Sequence, residues 1–145
     1  MRDVIERLSA AGELPSADQL VGVPGIELDA WELELGRPLP TDYRSFMEAA
    51  GATRNARLFS GDAFFWPYPR GLREDAREWL EPGHFAAIPS DAIFVLSHDA
   101  YIFFWIDTAE STAPVYVSQP VDTDVREIKR AADSFKEWLV LGLDN

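Results

Sequence analysis

Two apolar stretches only four residues apart constrain this chain more than any other feature. Ala92-Ile93-Phe94-Val95-Leu96 is the first, and residues 101–106, from Tyr101 to Ile106, are the second. Both have strand length and carry β-branched and aromatic side chains, and Ser97-His98-Asp99-Ala100 between them is turn-forming. The spacing predicts a β-hairpin. Val115-Tyr116-Val117 reads as a third strand.

The stretch before residue 51 has a different period. Val4, Ile5 and Leu8 lie at helical spacing before Gly12 and predict a helix over residues 2–11. Residues 13–25 hold Pro15, Gly22, Pro24 and Gly25 and read as a loop, with a turn of helix near 16–20. Leu28, Trp31 and Leu35 mark one face of a second helix ended by Gly36. Thr41 is the expected N-cap of a third helix, with Asp42 in its first turn. Tyr43, Phe46, Met47 and Ala50 follow the i, i+3, i+4, i+7 pattern, and Gly51 closes that helix as a C′ residue. Leu58-Phe59 and Phe64-Phe65-Trp66 are apolar, with Gly61-Asp62 as a turn between them. Residues 72–80 read as helical, with Leu72, Ala76, Trp79 and Leu80 on one side. Ser134-Phe135-Lys136-Glu137 has the form of a capping box, and Phe135, Trp138 and Leu139 give the last helix its apolar face. Helices, then an antiparallel meander, then a closing helix make an α+β fold, a mostly antiparallel sheet packed by N-terminal helices and a C-terminal helix. The 145 residues fit one domain, 1–145.

Several functional classes fall away on composition. The chain has no Cys, so it has no disulfide framework, thiol nucleophile or thiolate metal site. Charges near the N-terminus interrupt the apolar stretch a signal peptide needs, and no apolar run is long enough to span a membrane. A cytoplasmic location is expected from these features. Asp and Glu number 25 against 13 Lys and Arg, a formal net charge of −12. Such a surface repels nucleic acid and anionic membrane and attracts basic partners.

Catalytic and metal chemistry find little footing. Ser97-His98-Asp99 contains the residue types of a hydrolytic triad, but neighbours on an extended chain point to opposite sides, and a tight turn favours the same residues. His84 and His98 are the only histidines and lack metal-ligand spacing. Glu74, Asp75, Glu78 and Glu81 cluster beside Trp79, with Arg73 and Arg77 interleaved, as on a salt-bridged helix surface. No catalytic, cofactor-binding or metal-binding residue is assigned, and the chain is expected not to be an enzyme.

Binding has better candidates. Phe64-Phe65-Trp66-Pro67-Tyr68-Pro69-Arg70 sets four aromatics beside two prolines. Such a loop can fill a core or present rigid anchors, and aromatics dominate interface hot spots. Phe65, Trp66 and Tyr68 are therefore candidate partner-binding residues. The acids Glu74, Asp75 and Glu78, with Asp107 and Glu110 after the second strand, are candidates for steering a basic partner. Asp122, Asp124 and Glu127 join Asp107 and Glu110 in one acidic patch if the ends of the strands meet in space.

The segment Glu32-Leu33-Glu34-Leu35-Gly36-Arg37-Pro38-Leu39-Pro40-Thr41-Asp42-Tyr43-Arg44-Ser45-Phe46-Met47 resembles the E-x-x-L-G-x-x-L-P-x-D-Y-x-x-F signature of the SUKH superfamily of SMI/KNR-like domains. His98-Asp99-Ala100-Tyr101, Pro114-Val115-Tyr116 and the segment 132–139 are similar to later family motifs in the same order, so the resemblance covers about residues 26–140. The chain departs from it at two turns, with Ala50-Gly51 in place of Asn-Gly and Ala100 in place of Gly. Glu32, an acid within an apolar helix, is expected to cap or pair, with Arg44 as its partner. The resemblance implies an α+β sheet packed by helices. It also implies a bacterial immunity protein that binds and neutralises a cognate polymorphic toxin, often a nuclease; the net charge adds that this toxin is expected to be basic, and no cofactor is implied. The alternative it leaves is a non-catalytic regulatory scaffold of the cell-wall and signalling type. Oligomeric state is open.

Overall fold

The structure, a computed structural model, describes residues 1–141 and 143. Among these, six α-helices and four strands make an α+β fold: α1 (Arg2–Ala10), α2 (Gly25–Leu35), α3 (Thr41–Ala50), α4 (Leu72–Trp79), α5 (Pro82–Ala86), β1 (Ile93–His98), β2 (Ile102–Ile106), β3 (Val115–Asp122), β4 (Val125–Ala132) and α6 (Phe135–Leu141). Short 3₁₀ turns at Ala17–Gln19 and Tyr68–Gly71 complete it. No helix of the described residues is long and apolar enough to cross a membrane. The chain divides into two compact units, Met1–Ser60 with Lys136–Asn145, and Gly61–Phe135.

In the first unit the helical periods do what the sequence predicts. Val4, Ile5 and Leu8 of α1, Leu28 and Trp31 of α2, and Tyr43, Phe46, Met47 and Ala50 of α3 are all buried. Trp31 meets Tyr43 edge to face at 6.1 Å, the arrangement that brings a positive ring edge onto a negative ring face. Burial pushes the Tyr43 phenol far above its ordinary pKa. The loop before α2 lies directly on α3. Val23 N–H donates to the Met47 carbonyl at 2.8 Å. A Cβ on Gly22 would lie 1.7 Å from the Glu48 carbonyl oxygen. Only glycine permits that approach.

Two helix ends differ from expectation. Thr41 is the first residue of α3 and not its cap; Pro40 holds that position, without a side-chain cap bond. The fixed φ of Pro40 sets the chain for helix entry. Its carbonyl accepts the Arg44 N–H at 2.9 Å. Gly51 ends α3 in a right-handed conformation, φ −65°. Glycine is needed there for space, since a Cβ would lie 2.7 Å from the Met47 Cα.

The second unit is built on one antiparallel sheet in the order β1-β2-β3-β4. The predicted hairpin is present, with His98 paired to Ile102. Tyr101 N–H donates to the His98 carbonyl at 3.0 Å across it. Leu72, Ala76 and Leu80 pack with Ile88, Ala92, Phe94, Phe103 and Trp105 in one core cluster, so α4 lies on one face of the sheet. The third strand runs to Asp122, well past the predicted 115–117, and β4 has no counterpart among the predicted strands. Its charged sequence, Val125-Arg126-Glu127-Ile128-Lys129-Arg130, resembles a loop. It is a sheet-edge strand, where charged side chains are tolerated and discourage further strand pairing.

Candidate functional site

The hairpin triad residues are engaged in turn geometry. Ser97 is buried and its Oγ accepts the Ala100 N–H at 3.1 Å. His98 turns away from it, with Nδ1 2.6 Å from Asp62 and Nε2 3.5 Å from Asp99. The hydrogen bond and charge of Asp62 raise the His98 pKa, with Asp99 adding to the effect. No three acidic or histidine side chains among the described residues converge as metal ligands.

The predicted binding residues are scattered. Phe65 and Trp66 are half-buried, with Phe65 edge-on to the buried Phe64 at 5.0 Å, so they belong largely to packing. Tyr68 is exposed. Glu74, Asp75 and Glu78 are exposed on α4, where Glu74 pairs with Arg77 at 2.7 Å. Asp107 accepts the Ala109 N–H at 2.9 Å and so shapes the β2–β3 turn. Glu110 pairs with Arg130 of β4 at 3.1 Å. The single acidic patch at the strand ends does not form. Asp107 and Glu110 lie beyond one end of β3, and Asp122 and Asp124 lie at the other. The length of that strand, at the usual rise per residue, keeps the two groups roughly 24 Å apart.

Arg73 also departs from its expected surface role. Its Nη2 donates to the carbonyls of Pro89, Ser90 and Ala92 at 3.1, 2.9 and 3.0 Å, while the guanidinium stands 5.3 Å from the Phe94 ring centroid. It thus ties α4 to the segment entering β1.

What the fold does assemble is a groove of about 680 Å³ at the end of the sheet that carries the β1–β2 and β3–β4 turns. Trp79, Glu81, Gly83 and His84 line one side, and Tyr101, Pro120 and the residues 122–126 line the other. The sequence reading sets Trp79 on the same helical side as Leu72, Ala76 and Leu80, which are buried. Trp79 is instead 64% exposed. It is the last residue of α4, and the chain turns extended at Leu80, which is buried in its place. Tyr101 is 49% exposed, just after the positive-φ pair Asp99 and Ala100.

Three carboxylates, of Glu81, Asp122 and Asp124, share this groove with one guanidinium, that of Arg126. Arg126 donates to the Tyr101 carbonyl and lies 4.9 Å from the Tyr101 ring centroid. It also donates to Ser118 Oγ at 3.3 Å, and His84 Nε2 is 2.6 Å from the same hydroxyl. Burial, with the Arg126 charge adding to it, holds His84 below its ordinary pKa, against the pull of Glu81. His84 and Arg126 thus both hydrogen-bond the one Ser118 hydroxyl. Ser118 itself is fully buried.

The sequence signals for this site are present but dispersed: Trp79, Tyr101, Asp122 and Asp124 come from three separate segments. No curated protein matches the chain. Residues 22–140 match the SMI1 / KNR4 family (SUKH-1), and the chain, with its α+β fold and the Glu32 to Met47 signature, belongs to that family.

Proposed function

We propose that this chain is a bacterial immunity protein that acts in the cytoplasm by binding a cognate toxin and occluding it, with no catalysis of its own. The observation that carries the reading is the groove, where two exposed aromatic rings stand among carboxylates on a chain of net charge −12. Aromatic anchors slow dissociation, and acidic groups speed the encounter with a basic protein. Membership of the SMI1 / KNR4 family (SUKH-1) supports the same class of role. The serines near histidines favour binding over hydrolysis, because Ser97 holds a turn and Ser118 is buried.

The test is co-expression with the product of the neighbouring gene. A stoichiometric complex that weakens as salt rises, together with rescue of cells expressing that product, is expected. No complex and no rescue would overturn the immunity reading in favour of a regulatory scaffold.

A further inference from the structure

Building on that binding role, we infer that the groove at the β1–β2 and β3–β4 turns is a subsite for an arginine side chain presented by the protein partner. Its walls are the Trp79 and Tyr101 rings, and its counter-charge comes from Glu81, Asp122 and Asp124.

The occupant follows from what the groove contains. Trp79 and Tyr101 leave large ring surfaces exposed, and an aromatic face attracts a cation through its quadrupole. Three carboxylates against one guanidinium leave a net charge of −2, because His84 is held neutral. None of the three carboxylates is in an ion pair among the described residues. Asp122 only accepts the adjacent Thr123 N–H at 2.6 Å, and the Glu81 and Asp124 side chains make no hydrogen bond among those residues. The groove also already holds a guanidinium of its own: Arg126 stands over the Tyr101 ring and donates to the Tyr101 carbonyl. The site is therefore shaped and charged for this group, with one position filled from within and the Trp79 face and two negative charges left over. Arginine fits better than lysine because its planar, weakly hydrated guanidinium stacks on a ring while still donating sideways to carboxylates. A volume of about 680 Å³ admits such a side chain with its neighbouring backbone.

The experiment titrates the full chain with acetyl-Gly-Arg-Gly-amide, followed by amide and indole shifts in ¹H–¹⁵N spectra. The neutral isostere acetyl-Gly-citrulline-Gly-amide is run beside it. Saturable shifts at Trp79, Tyr101 and residues 122–126 are expected with the arginine peptide and not with citrulline. Trp79→Ala should weaken binding about fivefold, as for an exposed cation–π contact. The double variant Asp122→Asn with Asp124→Asn should weaken it about tenfold at low salt, with the difference closing as salt rises. Equal binding of the citrulline peptide, or shifts centred on the Glu74, Asp75 and Glu78 face of α4, would overturn the inference. So would unchanged affinity in both variants, provided their spectra show them folded. The outcome is separable from the immunity reading. A toxin complex indifferent to all three substitutions would sink the subsite alone, whereas peptide binding without any toxin complex would sink the immunity role alone.

Discussion

The Glu32 carboxylate accepts the backbone N–H of Leu39 at 2.6 Å, across the turn that joins α2 to α3. Its other oxygen takes Arg44 Nη1 at 2.7 Å, and Arg44 also reaches Asp29 and Glu48, both at 2.9 Å. The acid of the family signature thus ties α2 to the turn that follows it and to α3.

Glu32→Ala leaves the Leu39 N–H without its acceptor in a part-buried setting, while Arg44 keeps two other carboxylates. A loss of about 1–2 kcal/mol is expected. Urea unfolding checks it: the midpoint should fall with the slope unchanged. Glu27 is an exposed position on the same helix. Glu27→Ala should move stability by no more than about 0.5 kcal/mol.

Asp99 and Ala100 both have positive φ, 52° and 55°. The hairpin turn between β1 and β2 requires this conformation. Ala100 pays the left-handed cost that glycine would avoid. Its methyl group packs against the sheet core. Ala100→Gly should still raise stability by about 0.5–1 kcal/mol, since relief of strain outweighs that lost contact. A thermal melt that shows no gain would contradict this account of the turn.

Arg73 is predicted to resist replacement by lysine. It serves three carbonyls while lying over Phe94. One ammonium cannot do both as the planar guanidinium does. Arg73→Lys should cost about 2 kcal/mol, as for hydrogen bonds lost from a charged group. Arg77 pairs with Glu74 in solvent, so Arg77→Lys should cost little. Chemical denaturation of the two variants side by side separates these roles.

The Asp62–His98 pair makes a pH-dependent prediction. Asp62 raises the His98 pKa in the folded state above its unfolded value, so the folded state binds the proton more tightly. The charged pair contributes fully below about pH 6.5, the unfolded value, and its contribution is lost as pH rises through the folded value. Asp62→Asn should therefore lower the melting temperature more at about pH 5.5 than at about pH 8.5. An equal loss at both would show that the charge on His98 plays no part.

Local chemistry makes much of this protein legible in its sequence. Helical spacing of Val4, Ile5 and Leu8 and of Tyr43, Phe46 and Met47 placed α1 and α3, because those signals act over one or two turns. The apolar runs about Ser97 to Ala100 place the hairpin, and the acid of the family signature points to the Glu32–Arg44 pair. Tertiary structure alone decided the rest. Strand β4 exists through its pairing with β3, a contact its charged composition does not announce. Trp79, at the end of α4, is exposed, and its groove partners Tyr101, Asp122 and Asp124 come from segments that only the sheet register brings together. Periodicity reports which side of an element is apolar; whether anything lies against that side depends on non-local packing.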